Sequence, residues 1–109
     1  MQEVLDAVVE PRRRAILQLV RDRELAAGAI AAHFSDVSRP SISQHIKVLR
    51  DAGLVTERRD GTRRLYRVRP EGFEPIRRLL AEFWDDRLAT LRDEAEHEQR
   101  RIDAIRHRH

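Results

Sequence analysis

The chain has 109 residues, which is a typical length for one domain of ~50 to 200 residues. Apolar residues make up 40% and charged residues 38%, so there are enough apolar side chains for a small core. The absence of cysteine excludes disulfides, thiol nucleophiles and thiolate metal sites. Neither an uncharged stretch of the ~20 residues that a membrane span needs nor the pattern of a signal peptide is found, and we expect a cytoplasmic protein.

Basic residues are concentrated in the first 70 positions of the chain. Residues 1–70 carry 14 basic and 9 acidic side chains, whereas residues 71–109 carry 8 basic and 10 acidic ones. The highest concentration lies between Val55 and Arg69, where six arginines accompany two carboxylates. This asymmetry favours a polyanionic partner for the middle of the chain.

Three short helices are predicted before residue 35. Apolar residues recur at helical spacing in residues 4–9 and again in residues 15–20, and Pro11 fits the first turn of the second helix. A third helix is predicted over residues 26–34, where Gly28 lowers the helix propensity. Residues 35–38 have the composition of a turn.

A fourth and stronger helix follows this turn, and we call it the recognition helix. Ser38 or Arg39 caps its start, Pro40 lies in its first turn and Gly53 ends it. One face is apolar, and the other carries polar and basic side chains that crowd toward the N-terminal half. The apolar residues are Ile42, Ile46, Leu49 and Ala52, and the polar ones are Arg39, Ser41, Ser43, Gln44 and Lys47.

Two strand-like runs, residues 54–59 and 62–68, flank Asp60-Gly61 and predict a β-hairpin, which we call the wing. Four arginines surround its predicted tip. So many like charges at one place indicate a grip on the phosphate backbone or the minor groove of a nucleic acid. These arginines are Arg58, Arg59, Arg63 and Arg64.

One long helix is predicted from about Phe73 to the C-terminal region. From Trp84 the spacing approaches a heptad repeat at residues 84, 88, 91, 95, 98, 102 and 105, with Glu98 as the polar exception. We predict that residues 1–92 form a DNA-binding and dimerisation domain. Residues 93–109 are predicted to be a helical extension or a partly disordered tail rich in arginine and histidine.

The predicted order of four helices, a hairpin and a long helix is typical of a winged helix-turn-helix with flanking helices at both ends. The fold class is therefore mainly α with a small β-hairpin. The major groove of DNA admits one helix, in which arginine pairs well with guanine and glutamine with adenine. Double-stranded DNA is the partner that this arrangement predicts.

Three segments carry a resemblance to a known family. Residues 38–55, SRPSISQHIKVLRDAGLV, closely resemble the recognition-helix signature of the ArsR/SmtB (arsenic-repressor) family. Residues 58–66, RRDGTRRLY, are similar to its wing and residues 11–17, PRRRAIL, to its second helix, so the resemblance spans about residues 3 to 92. It implies a homodimeric bacterial transcriptional repressor that binds a palindromic operator, often its own promoter. The DNA contacts that it implies are Arg39, Ser41, Ser43 and Gln44 in the helix and Arg59, Arg63 and Arg64 in the wing.

The resemblance fails at the residues with which members of that family sense metals. Where soft-metal sensors have cysteines, Glu24-Leu25 is followed here by Ala26-Ala27-Gly28. Glu94, His97 and Glu98 share one predicted helical face, but the pair of histidines is missing and a charged solvated face is the better interpretation. We expect no metal and no other cofactor. Either no inducer exists, as in a repressor that follows its own concentration, or an organic ligand binds in the dimer interface.

A homodimer is predicted because a monomer of this size would leave a large apolar stripe exposed. Two-fold symmetry would then place two recognition helices about 34 Å apart on DNA. The predicted interface combines the first helix with the long last helix. Its residues are Val4, Leu5, Val8, Ile76, Leu80, Phe83, Trp84, Leu88 and Leu91.

Other functional classes fit the sequence less well. An enzyme is not expected, because neither a phosphate-binding glycine loop nor a plausible catalytic triad is found. RNA binding usually requires aromatic platforms, and only Tyr66 lies near the wing. The main alternative is a winged-helix protein-interaction module without sequence-specific DNA binding, for which a neutral or acidic wing would be expected.

Overall fold

The computed structural model describes the backbone of residues 1–84 and 86–107 and the side chains of residues 1–84 and 91–105. The chain divides into two units, Met1–Ile76 and Arg77–His109. In the first unit, two antiparallel strand pairings and four helices surround a single apolar core. The second unit is helical over its described residues except Trp84.

The first two helices are α1 (Gln2–Val9) and α2 (Pro11–Leu19), in agreement with the predicted positions. Pro11 occupies the first position of α2, and Glu10 caps that helix by accepting from the backbone N–H of Arg13. Two arginines of α2 satisfy the last carbonyls of α1. Arg13 donates from Nε to the oxygen of Ala7 at 2.7 Å, and Arg14 donates to those of Val8 and Val9 at 2.7 and 2.8 Å.

The helix-turn-helix consists of α3 (Ala27–Ala31) and α4 (Arg39–Asp51), and α4 is the predicted recognition helix. Ser38 caps α4 through a hydrogen bond from the backbone N–H of Ser41 to its hydroxyl. At the other end Gly53 has a φ of 77°, and the N–H groups of Gly53 and Leu54 donate to the carbonyls of Arg50 and Leu49. This is a Schellman motif, which explains why the glycine ends the helix.

Three strands form a small antiparallel sheet in the order β1 (Leu25–Ala26), β3 (Arg63–Val68), β2 (Val55–Asp60). β2 and β3 are the predicted wing. The strand β1 was not expected, since residue 26 was placed in the third helix. A two-residue strand is too short to show alternation, and its pairing with Leu65 and Tyr66 depends on contacts remote in sequence.

The turn of the wing differs by one residue from the prediction. Asp60 pairs with Arg63, so the two loop residues are Gly61 and Thr62 rather than Asp60 and Gly61. Gly61 has a φ of 64°, while no non-glycine residue in the described part of the chain has a positive φ. Glycine at the first loop position with an ordinary second residue is typical of a type II′ turn, which tolerates threonine there.

The core of the first unit lies between the helices and the sheet. Its fully buried large side chains come from α2 and the residue after it, from α3, from α4 and from the segment after α4. Burial of such side chains contributes roughly 1.5–3 kcal/mol each. Because this core buries the inner face of α4, the outer face of the helix remains exposed to solvent. The side chains are Ile16, Val20, Ile30, Ile42, Leu49 and Leu54.

The 3-10 turn Pro70–Phe73 packs against the end of the recognition helix. Gly72 is buried, and a Cβ at this position would overlap the carbonyl oxygen of Gly53. Arg69 approaches the same carbonyl, to which its guanidinium donates at 3.3 Å. The wing is therefore followed by a chain reversal that returns to the recognition helix.

The predicted single long helix is wrong, because two helices follow the 3-10 turn. α5 covers Glu74–Phe83 and α6 covers Asp86–His107. The N–H of Trp84 donates to the carbonyl of Ala81, three residues back, so the α-helical hydrogen-bond pattern ends at this point. None of the described helices has the length and apolar character needed to cross a lipid bilayer.

Candidate DNA-binding surface

The outer face of α4 presents the polar residues that the sequence predicted for it. Arg39, Ser43, Gln44 and Lys47 are exposed, and Ser41 is half-buried. On the inner face Ile42, Ile46 and Leu49 are buried. The two faces are thus cleanly separated, and the polar side chains crowd into the first three turns of the helix. The N-terminus of the helix adds partial positive charge on the same side.

A cleft of about 260 Å³ separates the recognition helix from the wing. Ser43 and Lys47 line it from the helix, and Arg64 lines it from the wing. The cleft therefore brings together two sets of predicted contacts that are about 20 residues apart in sequence. A polyanion along this cleft would contact both sets at once.

Three of the four arginines near the tip of the wing are already paired with carboxylates. Arg58 donates twice to Glu24, at 2.8 and 3.3 Å, and the pKa of Glu24 is lowered by this hydrogen bond. Arg63 pairs with Asp60 at 3.3 Å, and Arg64 with Glu57 at 3.2 Å. The charge is consequently less concentrated than the arginine count alone indicated.

Arg59 differs from the other arginines at the tip because it forms no ion pair with any residue that the structure describes. The same holds for Arg39 and Lys47 on the recognition helix. These three cations are available to an anion without the loss of an existing ion pair. The paired arginines must exchange a carboxylate for a phosphate, which is feasible because exposed ion pairs contribute only ~0–1 kcal/mol.

The register of the wing places its arginines on two different faces. Arg59 lies directly opposite Arg64, on the sheet face that also carries the buried Val55 and Tyr66. Arg63 lies on the other face, opposite Asp60. Arg59 and Arg64 therefore share the face that lines the cleft toward the recognition helix, whereas Arg63 points away from it.

Glu57 connects the recognition helix to the wing. Its carboxylate accepts from Arg50 Nη1 at 3.0 Å and from Arg64 Nε at 3.2 Å, and its side chain is only 21% exposed. The hydrogen bond that Arg50 donates to Glu57 is the main cause that raises the pKa of Arg50. Sequence reasoning did not find this link, because nothing local to residue 57 indicates which arginine it meets.

An ion pair with Arg12 of α2 holds the turn between α3 and α4 in place. Arg12 donates to the carboxylate of Asp36 at 2.6 Å, and its guanidinium lies 4.9 Å from the ring centre of Phe34. The hydrogen bond with Arg12 is the main cause that lowers the pKa of Asp36. Arg12 thus fixes the segment that leads into the N-terminus of the recognition helix.

His45 of α4 is half-buried and contacts α2. Its Nδ1 lies 3.3 Å from Nη1 of Arg13, the same arginine that caps α1. No local pattern in the sequence indicates this contact, which joins residues 32 positions apart. Arg13 belongs to the segment PRRRAIL, and its role as a link between α1, α2 and α4 appears only in three dimensions.

The predicted interface residues have different environments. Val4 is buried in the core of the first unit, while Leu5, Val8 and Ile76 are half-buried. Val8 and Ile76 line the same apolar groove of about 360 Å³. In the second unit Leu80, Phe83, Trp84 and Leu91 are 58–71% exposed. The side chain of Leu88 lies outside the described residues.

Along α6, Asp93, Glu94, His97 and Glu98 line one shallow surface groove. Within the described ranges no three histidine or carboxylate side chains are arranged to hold a metal ion. Apolar side chains of this helix are also exposed, such as Ile102 and Ile105 at 37% and 53%.

A recognition helix with a basic outer face, a preceding helix packed across it and a β-hairpin beside it together define a winged helix-turn-helix protein. The pattern of a family described as a helix-turn-helix domain matches residues 8–58. This match covers α2 to α4 and most of β2.

Comparisons with known proteins agree with this class. An HTH-type transcriptional regulator from Mycobacterium tuberculosis is 44% identical over 78 residues, which cover 72% of each chain. The arsenical resistance operon repressor of Staphylococcus xylosus is 34% identical over 80 residues, covering 73% of this chain and 76% of the repressor.

Two solved structures are similar in fold and sequence. A possible transcriptional regulator for arsenical resistance has a TM-score of 0.68 at 43% identity, over 84% of this chain and 95% of that one. The homodimeric winged helix-turn-helix domain of a possible ArsR-family regulator from Mycobacterium bovis has a TM-score of 0.58 at 32% identity, over 85% and 78%. The chain belongs to the ArsR family of winged helix-turn-helix transcriptional regulators.

Proposed function

We propose that this protein is a transcriptional repressor that binds a palindromic DNA operator as a homodimer. The observation that carries the proposal is the cleft in which Ser43 and Lys47 of the recognition helix face Arg64 of the wing. The similarity to a repressor and to a homodimeric neighbour supports it. Repression would be steric, because a dimer on promoter DNA excludes polymerase.

The proposed contacts divide into residues that read bases and residues that bind phosphates. The reading residues enter the major groove from the first turns of α4, with Gln44 suited to adenine and Arg39 to guanine. They are Arg39, Ser41, Ser43 and Gln44. The remaining cations bind phosphates and position the protein on DNA without reading the base sequence. These are Lys47, Arg59, Arg63 and Arg64.

The proposed dimer uses the apolar side chains of α1 and α5, with Leu88 and Leu91 from α6. The exposure of Leu80, Phe83 and Trp84 supports this, since contiguous exposed apolar side chains mark interaction surfaces. Two-fold symmetry would present two recognition helices to successive major grooves about 34 Å apart. Residues 1–92 would then act as the DNA-binding and dimerisation domain, with residues 93–109 as an extension.

Regulation of the chain's own promoter is part of the proposal, and the cytoplasm is the proposed location because the DNA partner lies there. The absence of cysteine removes the thiolate ligands that soft-metal sensing requires. We therefore propose a repressor whose occupancy follows its own concentration or that responds to an organic ligand.

The test is selection of duplexes from a random-sequence library, followed by fluorescence anisotropy on the selected duplex. A scrambled duplex of the same composition is the control, and the titration is repeated at two salt concentrations. We expect an inverted repeat among the selected sequences, tight binding that resists scrambled competitor and an affinity that falls with salt. A duplex from the chain's own promoter tests autoregulation in the same assay.

The outcomes separate the proposal from its alternative. Equal and weak binding to selected and scrambled duplexes would contradict a sequence-specific repressor. Absence of binding at low salt would favour a winged-helix module that binds another protein. Selected sequences without two-fold symmetry would contradict the palindromic operator alone.

A further inference from the structure

The guanidinium of Arg39 lies against the backbone of α3 at Gly28. A Cβ built on Gly28 would be 3.3 Å from Nη2 and 3.5 Å from Cζ of Arg39, and its three nearest neighbours all belong to that guanidinium. The first distance is tighter than most real Cβ contacts, so the guanidinium would have to shift by a few tenths of an ångström if residue 28 had a side chain. The glycine thus provides the space that Arg39 occupies.

Little else in the described part of the chain holds Arg39 in place. It is exposed, and it forms neither an ion pair nor a side-chain hydrogen bond with a described residue. A free arginine side chain samples many rotamers, and ordering it for a bidentate contact costs conformational entropy. The contact with Gly28 reduces the number of rotamers available to Arg39 before DNA arrives.

Glycine is an unfavourable residue for the position in other respects. Gly28 lies inside α3, where alanine is the better helix former. Helix stability and placement of Arg39 therefore make opposite demands on residue 28. Substitution of Gly28 by alanine is expected to raise the stability of α3 and to disturb the placement of Arg39.

We propose that Gly28 is a positioning residue for sequence reading: it seats the guanidinium of Arg39 at the start of the recognition helix, so that the paired donors are oriented toward the O6 and N7 acceptors of a guanine. The inference rests on the proposed function, since it requires that Arg39 reads DNA. Gly28 itself makes no contact with the base.

The experiment compares Gly28→Ala, Arg39→Ala and the double variant with the wild type. Binding to the selected duplex, and to duplexes with each base pair substituted in turn, gives affinity and specificity by position. Ala29→Gly is the matched control, because it changes helix propensity at an exposed neighbouring position of α3. Thermal unfolding and the Arg39 Nε–Hε resonance in 15N NMR are recorded without DNA.

We expect Gly28→Ala to unfold at a temperature no lower than the wild type and yet to bind about fivefold more weakly. The loss should be confined to one base pair in each half-site and should vanish in the Arg39→Ala background. The Arg39 resonance should shift in Gly28→Ala only. Ala29→Gly should lower the unfolding temperature and leave binding within about twofold.

Three results would overturn the inference and leave the proposed repressor function in place. These are unchanged binding by Gly28→Ala, an equal loss in both backgrounds, and wild-type affinity of Arg39→Ala. Loss of the same size at all base pairs would indicate a phosphate contact of Arg39 and would also overturn guanine reading. Failure of the wild type to bind any selected duplex would instead overturn the proposed function, and the inference with it.

Discussion

Arg50 donates from Nη1 to the carboxylate of Glu57 at 3.0 Å, which joins the end of the recognition helix to the first strand of the wing. Both side chains are partly shielded from water, at 35% and 21% exposure. A partly shielded pair is screened less by salt than an exposed one. The distance between the two DNA-facing elements is therefore held by a contact that DNA does not need to break.

Glu57→Gln should lower the free energy of unfolding by about 1 kcal/mol, because Arg50 and Arg64 both lose the carboxylate that they share. Asp51→Asn is the matched control. Asp51 also pairs with Arg50, but at 3.3 Å and with 58% exposure, so its loss should cost about 0.3 kcal/mol. Urea unfolding of both variants measures the difference. Equal effects would show that the link to the wing adds nothing.

Gly72→Ala should destabilise the protein by about 3 kcal/mol, because the new methyl group would overlap the backbone of Gly53. The overlap involves backbone, which cannot rotate away as a flexible side chain can. Glu71→Ala, on the exposed side of the same turn, should stay within about 0.5 kcal/mol of the wild type. Chemical unfolding distinguishes the two. A stable Gly72→Ala variant would mean that this turn can separate from the helix end.

Stability should fall in acid through Asp36. Arg12 lowers the pKa of Asp36 below its ordinary value of 3.8, so the native state binds the proton less readily than the unfolded chain does. This contribution is fully present above about pH 4 to 5 and is lost as the pH falls through the native pKa. Asp36→Asn should be less stable than the wild type at pH 7 and should approach it near pH 2.

Urea unfolding of the wild type, Asp36→Asn and Arg12→Ala at a series of pH values tests this. Both variants should show a shallower loss of stability in acid than the wild type. Curves that remain parallel from pH 7 to pH 2 would contradict a native role for the pair.

Gln44→Ala and Arg59→Ala should change DNA binding in two different ways. Loss of Gln44 should relax the preference at one base pair by about 5- to 100-fold. Loss of Arg59 should weaken binding to all duplexes and reduce the slope of log affinity against log salt by about 1. Arg63→Ala is the matched control, because Arg63 already has Asp60 as a partner and lies on the other face of the wing. Its effect should be smaller, and a larger one would reverse our ranking of the two arginines.

Leu80→Asp and Phe83→Asp should convert a dimer into single chains and weaken operator binding more than tenfold. Both side chains are more than half exposed in the single chain, so a charge there opposes association without disturbing a core. Glu82→Gln, an exposed substitution in the same helix, should leave the mass at two chains. Sedimentation equilibrium at micromolar concentration measures it. A wild type with the mass of one chain would rule out the proposed dimer.

The helix boundaries that depend on local chemistry could be predicted from the sequence. Ser38 and Gly53 cap the recognition helix by contacts within five residues, and Pro11 begins α2 in the same local way. The turn of the wing was misplaced by one residue, because a glycine following an aspartate fits either of two adjacent turns. The break after Phe83 has no proline or glycine to indicate it.

The location of the polar face was also predictable, because it depends on local helical spacing. The partners of the charged residues were not predictable. Helical spacing alone separates Gln44 and Lys47 from Ile46. In contrast, Glu24 reaches Arg58 across 34 positions, and Arg13 reaches His45 across 32. Partners so remote are set by packing of the core, and no short pattern contains them.

The ion pairs of the wing have a consequence for the speed of binding. An arginine beside a carboxylate is nearly neutral when viewed from beyond the Debye length of about 8 Å at physiological salt. Attraction of distant DNA therefore comes mainly from Arg39, Lys47 and Arg59 among the proposed contacts, since the others only exchange partners on arrival. Association should depend on the three unpaired cations, while the lifetime of the complex should depend on the paired arginines as well.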